Sequence, residues 1–122
     1  MLREFDNVRQ HEGEGRRRWF ADQTMDLVLW YDPKDPARIT GFQLCYDKNA
    51  AEHALTWRES GSVSHHAVDG GESTVHKNMS PILVPDGVIP LPRIRDLFDA
   101  ASGTLDPEVR DFVSSRLAEI RG

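Results

Sequence analysis

The sequence predicts an α+β fold: an antiparallel meander of about five strands, followed by two C-terminal helices packed on one face. Three observations lead there. Segments of strand character succeed one another from Trp19 to Val68 with only short turns between them. Short connections suit antiparallel neighbours, because parallel strands need long crossovers. Two amphipathic stretches close the chain, and the sheet is the only large apolar partner for their stripes.

The elements run in order along the chain. Met1 to Gly15 is polar and reads as a weakly ordered segment with one irregular strand around Leu2–Val8, and Gly13 and Gly15 mark a flexible lead into the meander. Strands are predicted at Arg17–Ala21, Met25–Tyr31, Ile39–Tyr46, His53–Glu59 and Val63–Val68. Asp22-Gln23-Thr24 is a tight connection. Asp32-Pro33-Lys34-Asp35-Pro36 is a longer one, since neither proline can donate to a ladder. Asp47–Ala51 turns the chain again, and Ser60-Gly61 reads as a two-residue hairpin loop with Gly61 at positive φ. Asp69 to Ser80 is a polar loop, and Ile82-Leu83-Val84 is a further short strand. The first helix spans about Leu91–Ala101, with Pro90 or Pro92 near its start and Gly103 beyond its end. Leu91, Ile94, Leu97, Phe98 and Ala101 form its stripe. The second begins at Asp106 as N-cap with Pro107 behind it, and Val109, Phe112, Val113, Leu117 and Ile120 recur at helical spacing.

Composition bounds the reading. The 122 residues suit one domain and can bury a core without a disulfide or metal staple. A net charge of −5 argues against a general nucleic-acid binder. Arg16-Arg17-Arg18 is the only basic run. It reads as the solvated start of a strand, with a phosphate or partner contact as the alternative. Cys45 is the only cysteine, so no intrachain disulfide can form and no oxidising compartment is required. The polar N-terminus carries no signal peptide and no membrane span, which points to the cytoplasm.

Alternation assigns the faces. Closing the Asp47–Glu52 turn sets Tyr46 against His53, Leu44 against Leu55 and Phe42 against Trp57. The Ser60-Gly61 loop sets Trp57 against Ser64, Thr56 against His65 and Leu55 against His66. One face then collects Leu27, Leu29, Tyr31, Phe42, Leu44, Tyr46, Leu55, Trp57 and Val68, with His53 and His66 near its edge. This is the expected core face. The other carries Asp26, Val28, Trp30, Gly41, Gln43, Cys45, Ala54, Thr56, Arg58, Val63, His65 and Ala67. Trp30 lies beside Gly41, whose missing side chain leaves room for an indole. Trp19 depends on the first hairpin, whose register the sequence leaves open.

No motif names a reaction. His65-His66-x-x-Asp69-x-x-Glu72-x-x-x-His76 comes nearest to a metal signature, but adjacent strand residues point to opposite faces and no recognised ligand spacing is present. No metal site and no cofactor are therefore expected. No glycine-rich phosphate loop opens a helix. Cys45 reads as a packed residue rather than a reactive thiol.

Arg17-Arg18-Trp19-Phe20, Asp26-Leu27 with Trp30, Phe42-Gln43-Leu44-Cys45-Tyr46-Asp47-Lys48 and Glu52-His53-Ala54-Leu55-Thr56-Trp57 together resemble small uncharacterised bacterial proteins. Val68-Asp69, Gly71-Glu72, Pro81-Ile82-Leu83-Val84 and Asp86-Gly87 extend the resemblance, which spans roughly residues 17–87. It implies a small bacterial domain and no particular substrate or catalytic residue.

Two functions fit these features. The first is a binding or protein-interaction module that uses Trp30, Gln43, Thr56, Arg58 and His65 on the exposed sheet face, with self-association or a protein partner as its natural form and a small ligand also compatible. The second is a small enzyme with acid–base chemistry at His65, aided by Asp69 or Glu72, with metal assistance as a variant of it. Neither involves nucleic acid or membrane.

Overall fold

A computed structural model describes residues 1–5, 10, 13, 15–48, 50–69, 82–85 and 89–120. Seven strands form one antiparallel sheet in sequence order: β1 (Arg3–Glu4), β2 (Arg17–Ala21), β3 (Met25–Tyr31), β4 (Ile39–Tyr46), β5 (His53–Arg58), β6 (Val63–Asp69) and β7 (Ile82–Pro85). Helices α1 (Leu91–Ala101) and α2 (Pro107–Glu119) come after them. The class and meander match the expectation, and the edge strands β1 and β7 fall where the sequence predicts an irregular strand around Leu2–Val8 and a short one at Ile82–Val84.

Local chemistry explains each turn. The Asp22 carboxylate accepts hydrogen bonds from the backbone N–H of Thr24 and Met25, both at 2.8 Å, which closes the β2–β3 hairpin. In the β3–β4 connection, Asp32 and Asp35 each accept from the N–H two residues on, and neither proline has to donate. Thr40 is the extra residue of a bulge where Trp30 faces Gly41 but Tyr31 faces Ile39.

The register of β3, β4 and β5 is the one alternation implies: Leu29 faces Phe42, Phe42 faces Trp57, Leu44 faces Leu55 and Tyr46 faces His53. The helices cover that face. Leu27, Leu29, Phe42, Leu44 and Leu55 are fully buried against Ile94 and Phe98 of α1 and Val113 and Leu117 of α2. Phe112 lies half-buried, edge-on to Trp57 with ring centroids 5.5 Å apart. Asp106 occupies the N-cap position of α2 but makes no side-chain cap; its carboxylate instead accepts from Arg18 at 3.4 Å.

Two expectations need correction. The β5–β6 loop has three residues, not two. Arg58 N–H donates to the Ser62 carbonyl, Gly61 N–H donates back to the Arg58 carbonyl, and Gly61 has φ 96°. This is a turn ending in a left-handed glycine, the usual form of a three-residue hairpin loop. The extra residue slips β6 by one position, so Leu55 faces His65 and Trp57 faces Val63. A one-residue slip turns every β6 side chain over. Val63, His65 and Ala67 therefore share the helix-covered side, while His66 and Val68 go to the outer one.

The N-terminus is also better anchored than its polarity implied. Leu2 is buried, its N–H donates to the Ala101 carbonyl, and its own carbonyl accepts from the Thr104 hydroxyl at 2.7 Å. The first residues thus tie the sheet edge to the α1–α2 junction.

Candidate functional site

Cross-strand pairing arranges the outer face into three rows. The middle row runs Phe5, Trp19, Val28, Gln43, Thr56, Ser64. Gln43 Nε2 donates to Thr56 Oγ1 at 3.2 Å. Phe5 and Trp19 remain 50% and 38% exposed with ring centroids 6.1 Å apart, so the largest accessible apolar groups of the sheet sit here. The second row holds Arg17, Trp30, Gly41 and Arg58. The Arg58 guanidinium lies 4.2 Å from the Trp30 ring centre, a close cation–π stack. Gly41 is what allows it: a Cβ there would lie 3.1 Å from the Trp30 ring and 3.2 Å from Arg58 Cδ. The third row holds Arg3, Ala21, Asp26, Cys45, Ala54 and His66.

Carboxylates mark that third row. Asp26 accepts from Lys48 Nζ at 2.7 Å. Burial and the nearby Asp26 charge push the Glu52 carboxyl above its ordinary range, against the pull of Lys48. Burial first, then Glu52 and Asp26, push the Cys45 thiol up to about 12, so it stays protonated and unreactive at neutral pH.

Of the five binding residues expected on this face, the structure brings Trp30, Gln43, Thr56 and Arg58 together and removes His65. The histidine is 8% exposed on the helix side, where its Nε2 and the Tyr46 hydroxyl share a 2.5 Å hydrogen bond. Its ring stacks on His53 at 5.2 Å. His53 Nδ1 donates to the Ala51 carbonyl at 2.7 Å. Arg93 covers the end of this stack, 5.9 Å from the Tyr46 ring, and grips Asp47 with two hydrogen bonds that hold the Asp47 carboxyl below its ordinary range. The pair ties α1 to the β4–β5 turn. As for the other acid–base candidates, Asp69 ends β6 with its side chain outside the described residues, and Glu72, like His76, lies outside them too. Among the described residues no group of three or more His, Cys, Asp and Glu is placed to hold a metal ion.

Residue-type reasoning missed one feature. Between the sheet and α2 opens a cleft of about 710 Å³, walled by Tyr31, Trp57 and Phe112 and rimmed by Arg16, Arg18, Arg38 and Arg116. The basic run was its only signal in the sequence. Strand alternation sends Arg16 and Arg18 into the cleft and Arg17 to the outer face. Among the described residues no helix is long and apolar enough to cross a membrane. Comparison with known protein families, with characterised proteins and with solved structures finds no match to this chain.

Proposed function

We propose that the protein is a small cytoplasmic interaction module that associates with a second copy of itself through the outer sheet face. The observation that supports this reading is the order of the three rows. An aromatic and polar middle row lies between an arginine end, Arg17 and Arg58 with Trp30, and a carboxylate end, Asp26 and Glu52, where Lys48 pairs with Asp26, Arg3 stands in the same row and Glu52 is the crowded carboxyl. A two-fold axis lying in the interface along the middle row would lay that row on itself. It would also bring each arginine end over the other copy's carboxylate end, as an isologous interface requires. Phe5 and Trp19 would lose their contact with water, and the crowded Glu52 carboxyl would gain a cation.

Light scattering tests this over a range of concentrations. The wild type should be dimeric, Trp30→Ala and Arg58→Glu should each shift it toward monomer, and Arg58→Glu combined with Glu52→Arg should restore the dimer. Circular dichroism checks that each variant is folded. A wild type that stays monomeric at every concentration, or a double variant that stays dissociated, overturns the proposal.

A further inference from the structure

The cleft beside α2 has the composition of a ligand site and lies on the side of the sheet away from the proposed interface. Its volume, about 710 Å³, falls in the range of small-molecule pockets. Its walls supply three aromatic rings from separate elements: Tyr31 of β3, Trp57 of β5 and Phe112 of α2.

The four arginines at its rim are not equivalent. Arg18 is committed to Glu4 through two hydrogen bonds and reaches Asp106, while Arg38 is committed to Glu59 at 2.9 Å. Arg16 makes no ion pair among the described residues, and its guanidinium rests 5.6 Å from the Tyr31 ring centre. Arg116 lies over both Trp57 and Phe112, at 5.5 and 4.8 Å, and bonds Glu119 through one terminal nitrogen. Its buried Nε has no hydrogen-bond partner. Two guanidinium groups with donors to spare thus sit on aromatic faces, one at the start of β2 and one on α2. Planar guanidinium groups suit carboxylate and phosphate oxygens.

The acids decide how much negative charge the cleft accepts. Glu59 and Asp106 are held by arginines, whereas Glu108, in the first turn of α2, adds an exposed carboxylate to the lining. That carboxylate repels a polyphosphate or a nucleic-acid strand but leaves room for a single anionic group.

We infer that the cleft binds a small molecule joining a planar ring to one phosphate or carboxylate, with the ring against Tyr31, Trp57 and Phe112 and the anion on Arg16 and Arg116. Calorimetry with four probes tests this: adenosine monophosphate and 1-naphthoate, which have both parts, and adenosine and inorganic phosphate, which have one each. At least one of the two-part probes should bind saturably, and the one-part probes at least about tenfold more weakly. Arg16→Gln and Arg116→Gln should each raise Kd about tenfold, the order expected for losing a charge-assisted hydrogen bond. Arg95→Ala, at an exposed position of α1 outside the cleft lining, should leave Kd unchanged. Saturation by monophosphate alone would identify phosphate as the anion, and by naphthoate alone carboxylate. Failure of both up to about 10 mM overturns the inference. So does a Kd that both arginine variants leave unaltered while folded by circular dichroism.

Discussion

Replacing Gly15 by alanine should destabilise the protein by about 2 kcal/mol, through two separable effects. Gly15 has φ 80°, where an alanine costs about 1 kcal/mol in backbone strain. The second effect is steric. A Cβ at Gly15 would collide with the Tyr31 carbonyl oxygen and lie 3.0 Å from Pro33 N and 3.2 Å from the Asp32 carbonyl carbon. All three are backbone atoms, so no rotamer change relieves the contact. The chain can relax only by drawing residues 15–16 away from β3. That weakens the 2.9 Å hydrogen bond from Tyr31 N–H to the Arg16 carbonyl, a loss of about 1 kcal/mol. Gly61→Ala is the internal control. Gly61 has φ 96° but nothing within 4 Å of a Cβ, so its cost should be the strain alone, about 1 kcal/mol. Urea unfolding monitored by tryptophan fluorescence should give the same m for both variants, with ΔG for Gly15→Ala lower by a further 1 kcal/mol, roughly. Equal losses at the two glycines would refute the collision argument. Because the same backbone carries Arg16, Gly15→Ala should also weaken ligand binding in the cleft, whereas Gly61→Ala should not.

The geometry sets three further outcomes. His65→Ala should cost about 1–3 kcal/mol in urea unfolding, since it removes a hydrogen bond to the Tyr46 hydroxyl and a stacked ring, while His66→Ala should cost less; the reverse order would contradict the observed β6 register. Glu4, whose carboxyl the Arg18 hydrogen bonds hold below its ordinary value of 4.5, contributes stability that is full above that pH and lost as pH falls through the lowered value. Glu4→Gln should therefore trail the wild type by less than about 1 kcal/mol at pH 7, and unfolding curves should show the gap closing in acid; a pH-independent gap would assign the effect to packing instead. Cys45, its thiol pushed up to about 12, should react with iodoacetamide at pH 8 far more slowly in the native protein than in urea, and equal rates would show that the burial is wrong.

How far the fold could be read varied along the chain, for physical reasons. The pairing of β3 to β5 was legible because Leu29, Phe42, Leu44, Leu55 and Trp57 form one apolar set that any slip would scatter. β6 offered no such constraint. Val63, His65 and Ala67 on one side are about as apolar as Ser64, His66 and Val68 on the other, so its face hung on whether the β5–β6 loop takes two residues or three. Glu59 bonds β4 through Thr40 but leaves the β6 pairing, and one position of slip moved His65 from a binding surface to a buried bond with Tyr46.

By itself, the sequence determined the α+β class, the meander order, the division of β3 to β5 into two faces and the placing of Trp30 beside Gly41. Each of these rests on local alternation or on turn chemistry within a few residues. Only the tertiary structure decided which face the helices cover, the anchoring of Leu2 at the helix junction, the exposure of Trp19 on the outer face and the cleft that gathers Arg16, Tyr31, Trp57 and Arg116. Those residues come from distant parts of the chain. Their meeting depends on how α2 lies across the sheet, which is set by the summed packing of the core and by no short pattern of residues.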